Sequence, residues 1–205
     1  MGEPNSKSCT AFNGNQRVTS GNRLTVAEKV KEIMDHDESA SILIFDDITS
    51  EVVEIDFRGT MADVRERLER QAAGTIPENA SSDTDPRSPR GPGRPRLGVV
   101  SREVTLLPRH WDWLNSQPGG ASVALRKLVE EARRVNGTRD RVRLSQEAAY
   151  RFMSAMAGNF PGFEEATRAL FAGDSERFNR LTAPWSVDIR DHARKLAEAA
   201  FQNRV

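Results

Sequence analysis

Cysteine occurs once in these 205 residues, at Cys9, so no disulfide can form within the chain and a reducing compartment is expected. Aromatic residues are scarce, at 6%, and no apolar run approaches the length of a membrane span. The first residues, MGEPNSKSCTAFNGN, lack an apolar signal core. Together these features predict a soluble, cytoplasmic protein. The three histidines, His36, His110 and His192, lie far apart and share no Cys or His at metal-ligand spacing, which argues against zinc. No nucleophile with a nearby base, no phosphate-binding loop and no dinucleotide fingerprint occurs, so neither enzyme activity nor a cofactor is expected. Asp46, Asp47 and Asp56 are read as turn-forming carboxylates rather than as a divalent-cation site, because loops routinely use Asp in this way.

Net charge is also absent, but the zero conceals a strong asymmetry. Residues 1–86 carry 9 Lys and Arg against 17 Asp and Glu, a net of −8, whereas residues 87–143 carry 13 against 5, a net of +8. The remaining 62 residues hold 8 of each sign. A basic middle behind an acidic front is either a surface for a polyanion or a face that docks on acidic protein.

Periodicity predicts an α+β chain in four parts: an N-terminal α+β domain over 1–73, a flexible Pro/Ser/Arg-rich linker over 74–98, a strand-helix-helix segment over 99–137 and a helical region over 138–205. In the first part, Cys9 to Phe12 and Arg17 to Thr19 flank the turn residues Asn13, Gly14 and Asn15. A helix is expected from Thr25, then a buried strand over Ile42 to Phe45. A returning strand with Val53, Ile55 and Phe57 on one face follows, and last a helix capped by Thr60, giving ββαββα. In the last part, helices are expected from Ser145 to Gly158, from Pro161 with Phe163, Ala166, Leu170 and Phe171 inward, after Asp174, and after Pro184 and Trp185.

The middle concentrates both the positive charge and a recognisable pattern. Val104 and Leu106 alternate with Glu103 and Thr105 in a strand over Arg102 to Leu106. Pro108 suits a first helical position, with Trp111 and Leu114 on one face and Trp113 off it. Pro118, Gly119 and Gly120 stop that helix. Ser122 can cap a second, which ends at Arg133 and Arg134, with Arg126 and Lys127 near enough to Glu130 and Glu131 for exposed ion pairs. A lone strand leaves its edges unpaired, so the unit calls for a partner. It resembles the ribbon-helix-helix fold, in which two chains pair their strands into a ribbon that enters the major groove of DNA. That resemblance implies a homodimer, with Thr105 and Arg102 on or near the ribbon and Gly120 to Ser122 meeting phosphate. Just upstream, Gly93 to Arg96 give the Gly-Arg-Pro core of an AT-hook, either an arm for the minor groove or a solvated hinge.

Across nearly its full length the chain also resembles an uncharacterised bacterial family, domain of unknown function 2239. The resemblance rests on CTAFNG with ILIFDD, on GRPRLGVVSREVTLLPRHWDWL with GGASVALRKLVEEARR, and on NFPGFEEATRALFAGD with DIRDHARKLA. It implies no activity. The expectation is therefore a DNA-binding protein acting as a regulator, with candidate contacts at Arg94, Arg96, Arg102, Thr105, Gly120, Ser122 and Arg126. The alternative is a non-enzymatic interaction module whose basic middle docks on an acidic partner, and Glu103 among the outward residues favours it.

Overall fold

The computed structural model describes residues 8–37, 39–74 and 102–202, which divide into two units: Met1–Gly74 with Gly137–Val205, and Thr75–Asn136. In the first unit, strands β1 (Ser8–Asn13), β2 (Gln16–Asn22) and β3 (Ile42–Asp46) form an antiparallel sheet of order β2-β1-β3. Gly14 takes the left-handed conformation, φ 54°, that the tight β1-β2 turn requires. Successive residues of a strand face opposite sides, and both sides of β1 are buried. Cys9 and Ala11 pack with Ile44, Val53 and the α1 residues Val26 and Val30, helix α1 being Arg23–His36. Burial and the Asp47 carboxylate push the Cys9 thiol up to about 11, which keeps it protonated and unreactive.

The other face of the sheet carries Phe12 and Phe45, which share a core with Phe152, Met153, Leu170, Phe178, Trp185 and Ile189 from the far end of the chain. Phe12, Phe45 and Phe152 meet with ring centroids 5.2–6.2 Å apart, within the range of favourable aromatic geometry. The N-terminal sheet and the C-terminal helices thus share one hydrophobic core. The fold is mixed α+β, a small antiparallel sheet with seven helices among the described residues.

Several local expectations are corrected. Helix α1 starts at Arg23, ahead of Thr25, because the Asn22 side chain caps it by accepting from the Thr25 N–H at 2.9 Å. The returning strand shrinks to a single bridge, Phe45 to Val52, with Val53 N–H donating to Ile44. Beyond it, side chains replace the ladder: Asp56 accepts from the Arg58 backbone N–H, and Arg67 donates to the Asp56 and Arg58 carbonyls. Thr60 then caps α2 (Met61–Gly74) as expected, and Asp63 makes the cap reciprocal by accepting from the Thr60 N–H.

The third correction concerns the middle. After α3 (Pro108–Asn115), the two helices expected on either side of Gly137 are one, α4, running Gly120–Met156 over 37 residues. A helical glycine costs about 1 kcal/mol relative to alanine, too little to break a segment otherwise free of proline and laced with pairs such as Arg143 with Asp140 and Glu147. Next come α5 (Phe163–Ala172), α6 (Ser175–Thr182), capped by Asp174, and α7 (Val187–Phe201). Helix α5 begins at Phe163 rather than Pro161, after the left-handed Gly162. Phe171 is also corrected: it is 51% exposed and lies against Tyr150, ring centroids 5.8 Å apart and tilted by 60°, instead of facing the core.

Candidate nucleic-acid interface

In the second unit the sequence Arg102 to Leu107 has no regular secondary structure, so the strand expected over Arg102 to Leu106 is not formed among the described residues; Leu107, at φ −65° and ψ 149°, is extended. Pro108 opens α3, and the Leu107 carbonyl accepts from the N–H groups of His110 and Trp111. Leu114 is buried and Trp111 half-buried, whereas Trp113 is 51% exposed, as their spacing predicts. The turn into α4 uses Gly119 and Gly120 at φ 87° and 74°. A side chain at Gly119 would also come within 3.1 Å of the Val123 Cβ, so both conformation and space demand glycine there.

The candidate contacts are placed as follows. Arg94 and Arg96 lie outside the described residues. Arg102 and Thr105 are exposed on the segment before α3, as is Glu103 between them. Gly120 is half-buried as the first residue of α4. Ser122 therefore lies within the first turn of the helix and does not cap it. It is exposed, and Arg126 folds back on it: the guanidinium donates to the Ser122 hydroxyl at 3.0 Å and to the Ser122 carbonyl at 3.2 Å. Arg126 thus binds Ser122, not Glu130 or Glu131. Those two glutamates pair with Arg133 at 3.3 Å and Arg134 at 2.7 Å, on exposed helix surface where such pairs contribute about 0.5 kcal/mol or less.

Burial separates this unit from the other one. Among its described residues only Leu114 and Ala124 are buried apolar side chains, while Val104, Leu107, Trp113, Leu128, Val129 and Val135 are between 47% and 64% exposed. Two buried side chains contribute little against the ordering of α3 and the segment before it, while α4 is anchored by its continuation into the core of the first unit.

The loop carboxylates of the first unit have structural partners. Asp46 accepts from the N–H groups of Ile48 and Thr49, Asp47 from the hydroxyls of Ser8 and Thr10, and Asp56 is held well below the usual carboxylate range by the Arg58 guanidinium. No group of three or more His, Cys, Asp or Glu among the described residues is arranged to hold a metal ion. No described helix is long and apolar enough to cross a membrane.

A small sheet buried on both faces, with helices supplied by both ends of the chain, defines the class as α+β. Residues 8–197 match a family described as an uncharacterized protein conserved in bacteria (DUF2239), and the chain belongs to that family. No curated protein and no solved structure matches it.

Proposed function

We propose that this protein is a DNA-binding protein of the cytoplasm, acting as a transcriptional regulator, and that it works as a homodimer assembled through its middle unit. The supporting observation is the combination in that unit of a segment without a strand partner, an exposed apolar set and exposed cations. Val104, Leu107, Leu128 and Val129 are the surface that a second copy of the segment would cover. Arg102, Arg109 and Lys127 form no ion pair among the described residues and remain available to phosphate. Arg126 with Ser122 offers a guanidinium and a hydroxyl at the start of a helix, where backbone N–H groups and the dipole favour an anion. The protein in this reading is not an enzyme.

The test is a fluorescence-anisotropy titration of A/T-rich and G/C-rich duplexes at two salt concentrations. Each neutralised phosphate contributes about −0.9 to the log-log salt slope, so steep weakening with salt is expected. A preference for the A/T duplex would support minor-groove contacts by Arg94 and Arg96. Absence of binding at low salt removes the reading.

One observation favours a second reading, a docking module for an acidic protein partner. Glu103 is exposed on the segment before α3, between the candidate contacts. Glu103→Lys separates the two: it strengthens duplex binding if that face meets DNA, and unchanged affinity counts against the placement.

A further inference from the structure

Helix α4 is anchored at both ends and by little between them. Ala124 is buried near its start, and beyond Ser145 the side chains of Ala148, Ala149, Phe152 and Met153 are buried too. Over residues 126–144, about five turns, every residue except Gly137 and Val142 is exposed. A helix gains most of its stability from packing an apolar face, so this stretch depends on intrinsic propensity and on side-chain pairs along its own surface.

Both supports lapse at one place. Val135, Asn136, Gly137 and Thr138 are weak helix formers in succession, two of them β-branched, whereas the strong formers Glu130, Glu131, Ala132, Arg133 and Arg134 stand just ahead of them. The ion pairs stop there as well. Arg133 and Arg134 reach back to Glu130 and Glu131, Arg143 bridges Asp140 and Glu147, and no ion pair among the described residues crosses from one set to the other. The Asn136 side-chain amide donates to the Ala132 carbonyl at 3.0 Å, the acceptor that the helix ladder gives to the Asn136 N–H, and such local bonds compete with the ladder. A separate observation agrees: the division of the chain into two compact units falls between Asn136 and Gly137.

We propose that residues 135–138 are a hinge in α4: they open locally while the helix on either side stays formed, and the two arms of α4 turn independently about them. The φ of Gly137 is not positive and a Cβ there meets nothing within 4 Å, so alanine closes the hinge without a clash. The inference rests on α4 alone and holds whether or not the protein binds DNA. Spin labels on the full chain at Lys127→Cys and Glu147→Cys read the hinge, Cys9 being buried and unreactive. A straight helix of that span sets the labelled positions about 30 Å apart. Pulsed dipolar spectroscopy should give a broad distribution with a population well short of about 30 Å, collapsing to a narrow peak there in the variant Asn136→Ala, Gly137→Ala, Thr138→Ala. Amide exchange should pass through a maximum over residues 136–142, whose hydrogen bonds the opening breaks, and Gly137→Ala alone should slow it there about fivefold. A narrow distribution in the native sequence, equal breadth in the triple variant, or exchange that changes steadily along α4 with no maximum overturns the proposal.

Discussion

His192 is 4% exposed, and its ring lies 5.2 Å from Phe12 and 4.6 Å from Phe152. Its Nε2 is buried without a hydrogen-bond partner. Burial pushes its pKa down from 6.5 to about 4; Asp47 opposes the shift, while Lys195 and Arg17 add to it. The neutral ring is the folded form, so between pH 6.5 and about 4 the unfolded chain binds the extra proton. Stability from this group is complete above 6.5 and is lost as pH falls towards 4, by at most about 3 kcal/mol. Urea midpoints measured from pH 7 to 4 should fall steeply over that window in the native protein. In His192→Leu, which keeps an apolar side chain and removes the proton site, the decline should be much shallower. An identical slope in the variant would place the sensitivity elsewhere.

Helices α4 and α7 are joined by one buried side chain at the element scale. The Ser145 hydroxyl donates to the Leu196 carbonyl at 2.6 Å and accepts from the Ala200 N–H at 3.0 Å. Ser145→Ala should therefore lower stability by about 1 kcal/mol, read as a shift in the urea midpoint at constant slope. Most elements were legible in the sequence because their signals are local: the Asn13-Gly14-Asn15 turn, Pro108 at the start of α3 and the Thr60 and Asp63 cap all act within a few residues. Legibility failed where a distant contact or a sum of weak terms decides. The returning strand had the right alternation, but Arg67, nine residues beyond Arg58, satisfies its carbonyls instead of a neighbouring strand. A helix ending at Arg134 and another opening at Ser145 are read from the sequence, yet the ion pairs and helix formers between them carry α4 through. Of the candidate interface, the exposure of Thr105 follows from the alternation, whereas that of Arg102, on the same face as Val104 and Leu106, does not, and neither does the Arg126 contact with Ser122, because Glu130 stands at the same spacing on the other side.

At the scale of the whole molecule, the two units are stabilised in different ways. In the first, Phe152 joins a sheet from the start of the chain to helices from its end, so Phe152→Ala should cost about 3–5 kcal/mol. Hydrogen exchange should show amides of β1 and of α7 losing protection together, since they share one core. The second unit has no comparable core, with Leu114 and Ala124 its only buried apolar side chains among the described residues. Helix α3, at eight residues, is marginal alone, whereas α4 continues for 37 residues into the first unit, and a segment without a strand partner leaves its backbone groups to water. In the proposed dimer, association would add stability to this unit, and an antiparallel pairing of two copies of the same segment is self-complementary by symmetry. Light scattering after size exclusion should then give a dimer mass at about 10 μM, where a specific interface of ordinary size is occupied. Val104→Asp combined with Leu128→Glu puts two carboxylates into the apolar surface and should yield a monomer in which β1 and α7 keep their protection. Duplex binding should fall in the same variant, because two linked copies engage DNA far better than one. A native protein that is monomeric throughout would remove the dimer, a variant that remains dimeric would move the interface away from the middle unit, and either would leave Val104 and Leu128 as ordinary exposed residues.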